Sequence, residues 1–266
     1  MICESNIQKQ GYDFSPYSDE FTGVVNEALD QWRMFCVLPE YSKKLIPYHG
    51  DDMGVGYELK QGRGGEGESK ENFDIEPGYQ IPALDTFDPL IRVRVLNFLD
   101  KALVLTKVTE PLVSKVLKEL GLVECEFVHF VRFLHYFSYS RVGDSIALPH
   151  IDKGGITIHL YESAEGFEFL SYKKKSWQKV LVPKGNIMVI PSLQIQYESR
   201  GKFRALCHRV TATKDVVENG RFAVVCFVRF MNTPRYNKPK FGQLRTLSPG
   251  FNYDISHEKF SDFLKV

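Results

Sequence analysis

Between residues 127 and 230 the chain runs FVHFVRFLHYF (127–137), ITIHLY (156–161), GFEFLSY (166–172), KVLV (179–182), NIMVI (186–190), ALCHRV (205–210) and RFAVVCFVRF (221–230). Each run is short and rich in Phe, Val, Ile or Tyr, and Gly, Pro, Ser or Asn bound most of them. Residues of this kind suit a pleated, half-buried surface, and many short runs at close spacing predict an all-β sandwich or barrel.

Ahead of Gly121 the texture differs. Phe21, Val25, Ala28, Leu29, Trp32 and Phe35 recur at helical spacing, with Ser18 or Asp19 placed to cap the start. Residues 49–80 turn to Gly, Glu, Lys and Asp, which predicts loop with short extended pieces. Asp88-Pro89 supplies a capping oxygen followed by proline at the first helical position, and Gly121 a stop. Residues 88–120 therefore predict one long helix, or two joined near Glu110-Pro111. The stretch Ser256–Leu264 predicts a short terminal helix. The organisation expected is one domain over 1–266, with residues 1–121 mostly helical, 122–232 a β core and 233–266 a tail and helix.

Composition narrows the class. Lys plus Arg number 34 against 33 Asp plus Glu, so no bulk field favours nucleic acid or an anionic membrane. The start MICESNIQKQGYDF has neither a basic nor an apolar leader pattern, and no apolar run approaches a bilayer span. Five scattered cysteines without a CxxC pair fit free thiols in a reducing, cytoplasmic setting. A monomer or weak homo-oligomer is expected.

The chemistry concentrates in LPHIDKGGITIHL (148–160). If this segment is a strand, His150 and Asp152 point to one side and offer a nitrogen and an oxygen to one ion. His208, in ALCHRV, is placed to close the site from another strand. Two histidines and one carboxylate leave open positions, as Fe(II) oxygenases require. Zinc hydrolases more often carry HExxH on a helix, which this sequence lacks.

On these residues the chain resembles the Fe(II)- and 2-oxoglutarate-dependent dioxygenase superfamily, most of all the isopenicillin N synthase-like branch. The HIDKGGITIHL segment, Trp177, the run VPKGNIMVIPSLQIQYESRGKFRALCHRV and the 56-residue step from Asp152 to His208 carry the resemblance. Trp32-Arg33-Met34-Phe35 and GYELKQG followed by KENFDI extend it more weakly into the first half. It implies a fold mainly of β-strands with helices: a distorted double-stranded β-helix, or jelly-roll barrel, with N-terminal packing helices. It implies His150, Asp152 and His208 as iron ligands, Arg221 and Tyr136 as contacts of the 2-oxoglutarate cosubstrate, and O2 and a small molecule as reactants. Succinate and CO2 would be released as the substrate is hydroxylated or desaturated. A carboxylate at 152 favours these outcomes over halogenation.

The sequence departs from the family pattern at Ala223, where a serine usually assists the arginine, and at Leu134 and Phe137, which flank Tyr136 in place of Asn and Pro. Loss of one hydroxyl bond to a charged group costs on the order of 1.5–3 kcal/mol if nothing replaces it. That departure keeps open an oxidase of the same fold that does not use 2-oxoglutarate, and a binding barrel without turnover remains a further alternative. His159 reads as a core or rim histidine, and His129 and His135 as structural. Lys153 reads as an exposed loop residue. Of Arg204 and Arg209, at least one should face away from the iron. Gly62–Gly67 matches GxGxxG but opens no helix, so it reads as a loop near the mouth of the site.

Overall fold

The computed structural model describes residues 1–50, 54–60, 69–137, 141–171, 173–233, 235–236 and 264–265. Its helices are α1 (Glu4–Gln10), α2 (Asp19–Cys36), α3 (Glu40–Lys43), α4 (Pro89–Glu119), α5 (Leu193–Glu198) and α6 (Lys214–Asn219). Its strands are β1 (Asp13–Pro16), β2 (Gly56–Lys60), β3 (Lys70–Ile75), β4 (Phe127–Tyr136), β5 (Ser145–His150), β6 (Ile156–Glu162), β7 (Phe167–Ser171), β8 (Ser176–Lys179), β9 (Asn186–Pro191), β10 (His208–Thr211), β11 (Arg221–Phe230), β12 (Arg235–Tyr236) and β13 (Leu264–Lys265). A seven-stranded sheet in the order β1-β9-β6-β11-β4-β3-β2 accompanies a four-stranded sheet in the order β5-β10-β7-β8. Every strand pairing within them is antiparallel. This is the expected jelly roll, packed on its N-terminal helices.

Period-two alternation divides the large sheet into two faces. On β4, Val131 and Phe133 join the helix-facing core, while Arg132, Leu134 and Tyr136 line a cavity. On β11, Val224, Cys226, Val228 and Phe230 join that core, while Arg221, Ala223, Val225 and Phe227 line the cavity. The helix side is filled by Trp32, Phe35, Phe73, Phe98 and Phe133, whose neighbouring rings lie 4.9–6.1 Å apart. Burial of such rings supplies much of the drive for docking helices on the sheet.

Helices α2 and α4 follow the sequence signals. Ser18 accepts from the Phe21 amide at the start of α2, and Asp88 accepts from the Leu90 and Ile91 amides at the start of α4. Helix α4 is single, with Pro111 inside it. Pro111 lies on the exposed side, where solvent can take the carbonyl that the missing N–H leaves behind. Gly121 adopts the left-handed conformation (φ 72°) that ends such a helix without a Cβ clash.

The first 121 residues supply β1, β2 and β3 to the large sheet beside their helices, and β2 and β3 are short extended pieces within residues 49–80 of the kind expected there. Two expectations change. Of KVLV, only Lys179 lies in a strand, because that strand begins earlier, at Ser176. The helix expected at the C-terminus falls mostly outside the described residues; its last member, Leu264, instead begins β13. The Gly62–Gly67 segment also lies outside them.

Candidate metal centre

The small sheet brings the two histidines together. His150 ends β5, His208 begins β10, and the two are cross-strand partners with ring centroids 4.3 Å apart. Asp152 lies beyond the end of β5, so the same-face strand reading holds only for His150. The loop after the strand turns Asp152 back instead. The Leu193 amide donates to the Asp152 carbonyl and the Gln194 amide to the Gly154 carbonyl, which pins this loop to the start of α5. Gly154 is required there, because a Cβ would run into the Val228 carbonyl oxygen.

His150 Nε2 lies 3.6 Å from Asp152 Oδ1, and His208 Nε2 lies 3.8 Å from Oδ2. One potential ligand atom from each of the three residues lies within 4.8 Å of the others. Both rings are oriented from behind. His150 Nδ1 faces the Leu148 carbonyl at 2.6 Å and His208 Nδ1 the Leu206 carbonyl at 3.1 Å, so each Nδ1–H donates and each Nε2 lone pair turns inward. Thr157 Oγ1 donates to Asp152 Oδ2 at 2.6 Å and meets Ser192 Oγ at 3.1 Å.

Burial, followed by the charge of His150, pushes the His208 pKa down to about 4. Burial alone would raise Asp152, but the neighbouring His208 and His150 and the Thr157 bond outweigh it and hold the carboxyl below its ordinary range. At neutral pH the cluster thus presents a neutral imidazole at 208 and a carboxylate at 152, the forms that bind a metal.

The triad opens on a cavity of about 240 Å³ between the two sheets. Its apolar wall includes Leu134, Val210, Val225 and Phe227, and Lys60 and Lys70 contribute ammonium groups. Tyr136 and Arg221, expected to contact the cosubstrate, both line this cavity, with the Arg221 guanidinium 5.5 Å from the Tyr136 ring centroid. Lys70 Nζ lies 5.5 Å from the same centroid. Position 223, an alanine, contributes no hydroxyl of its own to this wall.

Sequence reasoning missed the partner of Arg221. Arg221 Nη2 lies 2.9 Å from Glu162 Oε1, with both side chains buried, and its Nε donates to the Ala164 carbonyl. His159 lines the cavity too, and its Nδ1 donates to the same Glu162 oxygen at 2.8 Å. His129 and His135 are structural as expected. His129 Nε2 meets the Thr106 carbonyl at 3.0 Å, and His135 Nδ1 meets Glu71 at 2.9 Å. Arg209 turns to Glu168 and the Trp177 ring, away from the triad.

Residues 129–230 match the sequence model of the 2OG-Fe(II) oxygenase superfamily. No curated protein matches the chain. Among solved structures, a 2OG-Fe(II) oxygenase family protein from Caulobacter crescentus superposes with a TM-score of 0.70 at 19% identity, covering 85% of this chain and 80% of that one. A full-length Neurospora crassa protein in complex with alpha-KG gives a TM-score of 0.68 at 18% identity over 97% and 86%. The Arabidopsis thaliana dioxygenase for auxin oxidation 1, bound to 2-oxoglutarate, gives 0.65 at 14% over 86% and 88%. These likenesses bear out the fold, and the family match over residues 129–230 bears out the resemblance to the superfamily. Among the described residues, no helix is long and apolar enough to cross a membrane.

Proposed function

With residues 129–230 matching the 2OG-Fe(II) oxygenase superfamily, we propose that the protein is an Fe(II)- and 2-oxoglutarate-dependent oxygenase that hydroxylates or desaturates a small molecule. The carrying observation is the convergence of His150, Asp152 and His208 with both Nδ1 atoms engaged from behind. Two imidazoles and one carboxylate on one side of a cavity suit a divalent iron that must keep positions open. Bound there with a 2-oxo acid, iron would supply O2-driven C–H oxidation coupled to decarboxylation of the acid to succinate and CO2.

The chain's own groups do the positioning. The Leu148 and Leu206 carbonyls fix the histidine tautomers, and Thr157 steers one carboxylate oxygen of Asp152. The apolar wall around Val210, Val225 and Phe227 excludes water and suits a compact, partly apolar substrate. No proton transfer by a side chain is needed for these roles.

Anaerobic addition of Fe(II) and 2-oxoglutarate tests the reading. The expected result is the visible charge-transfer band of a chelated 2-oxo acid, followed by succinate formation when O2 and substrate are supplied. Bound iron with no band rejects it.

A second reading is an oxidase of the same fold that does not use 2-oxoglutarate. The Arg221–Glu162 pair and Ala223 favour it, because the expected anion anchor already faces a carboxylate and lacks the assisting hydroxyl. Substrate turnover independent of 2-oxoglutarate would select this second reading.

A further inference from the structure

Glu162 reaches the cavity through an irregularity in β6. Ile156, Ile158 and Leu160 join the helix-facing core, and Thr157 and His159 line the cavity. Strict alternation would then turn Tyr161 into the cavity and Glu162 away from it. Instead the pairing with β11 slips: Val225 is opposite His159, whereas Val224 is opposite Tyr161. One extra residue on β6 inverts the faces beyond it, as a β-bulge does. Tyr161 packs toward the helices, and Glu162 enters the cavity beside Arg221.

The resulting pair is closed on itself. The Arg221 and Glu162 side chains are 2% and 1% exposed, and their closest contact is 2.9 Å. Burial would raise the Glu162 pKa, but the Arg221 charge and the His159 hydrogen bond outweigh it and keep the group below its usual range, hence anionic. The Nε edge of the guanidinium is spent on the Ala164 carbonyl, and Nη2 on Glu162. A carboxylate entering from solvent would therefore meet a cation already balanced, with a like charge beside it. Glu162 Oε2 and His159 Nε2 are buried and have no hydrogen-bond partner among the described residues.

We propose that Glu162 is a resident carboxylate that competes for Arg221 with the distal carboxylate of a dicarboxylate cosubstrate, and thereby sets the cavity's preference among 2-oxo acids. This rests on the reading of the cavity as a 2-oxo acid site. A distal carboxylate must displace Glu162 from the guanidinium or bind without it, so it gains little over a 2-oxo acid that lacks one. A charge-assisted, two-pronged arginine contact would otherwise favour the dicarboxylate strongly.

The test uses the full chain loaded with Mn(II), with calorimetric titration of 2-oxoglutarate and of pyruvate, which has no distal carboxylate. For the unaltered protein the two dissociation constants should lie within about threefold of each other, a difference of well under 1.4 kcal/mol. Glu162→Gln keeps the shape and removes the charge; it should tighten 2-oxoglutarate by about tenfold or more, with pyruvate unchanged. A preference for 2-oxoglutarate of about a hundredfold in the unaltered protein would overturn the proposal. So would a Glu162→Gln protein that binds 2-oxoglutarate no better. Should that variant fail to fold, the ratio in the unaltered protein decides alone. If the unaltered protein binds pyruvate but Glu162→Gln gains no 2-oxoglutarate binding, the competition alone falls; if neither protein binds either acid, the 2-oxo acid reading falls and takes the competition with it.

Discussion

Two clusters among the described residues bring three ligand-type side chains within 4.8 Å of one another: His150, Asp152 and His208 in the cavity, and Cys36, Glu71 and His135 toward the helices. By residue type both pass for metal sites. They differ in what has already claimed the lone pairs. Glu71 Oε2 takes the Lys43 ammonium at 2.5 Å and the Tyr57 hydroxyl at 2.8 Å, and Oε1 takes His135. Burial, with Glu71 next, pushes the Cys36 thiol well above its ordinary range, so it holds its proton and is a poor ligand. The second cluster has its cation built in, as the lysine of a buried ion pair. In the cavity cluster, the carbonyls of Leu148 and Leu206 occupy the Nδ1 atoms and leave the Nε2 atoms turned toward Asp152. Proximity of ligand types is therefore insufficient; a site also needs oriented lone pairs without a resident cation.

The largest contrast comes from deleting the central carboxylate of each cluster. Asp152→Ala should abolish stoichiometric Fe(II) or Mn(II) binding while the protein still melts cooperatively. Glu71→Ala should leave metal stoichiometry intact yet cost about 3–5 kcal/mol in urea denaturation, because it strands the buried Lys43 ammonium. Retained metal in the first variant, or lost metal in the second, would erase the distinction between the clusters. A milder probe is Thr157→Val, which removes the hydroxyl steering Asp152 Oδ2 but nearly keeps the shape. Metal affinity should fall by about 10–100-fold in chelator competition. An unchanged affinity would mean that the carboxylate needs no such support.

These clusters also show what a sequence makes legible. His150 and Asp152 are near neighbours in the chain, and His208 follows in a strand-like run, so the triad could be read as a pattern. The cross-strand register that sets His208 against His150 could only be assumed. Helices α2 and α4 announced themselves through Ser18, Asp88-Pro89 and Gly121, chemistry that acts within a few residues. Strands β2 and β3 were legible only as short extended pieces in a polar stretch: GYELK and KENFDI are short and polar, and pairing of β3 with β4 and of β2 with β3 sets them in the sheet. Glu162 was the least legible. Its arrival at Arg221 depends on a one-residue slip between β6 and β11, and period-two reasoning across that slip assigns it to the wrong face.

Acid stability offers the smallest effect and compares the faces of the large sheet. Glu71 lies on the helix side and Glu162 on the cavity side. Burial would raise the Glu71 pKa, but hydrogen bonds from His135 and Lys43 outweigh it, and Arg221 and His159 outweigh burial in the same way at Glu162. A carboxyl whose pKa is lower folded than unfolded contributes stability that is fully present above the unfolded value, about 4.3 for glutamate. As pH falls below that value the unfolded chain takes up the proton first, and the contribution disappears as pH drops through the folded pKa. The metal-free protein should therefore lose stability in urea titrations as pH falls below about 4.3. Glu71→Gln and Glu162→Gln should each flatten that loss, since neither leaves a carboxyl to titrate at its position. Identical acid limbs in the unaltered protein and in both variants would show that neither pair holds its carboxyl below the ordinary range. If only Glu71→Gln flattens the limb, Arg221 and His159 do not hold the Glu162 carboxyl below the ordinary range.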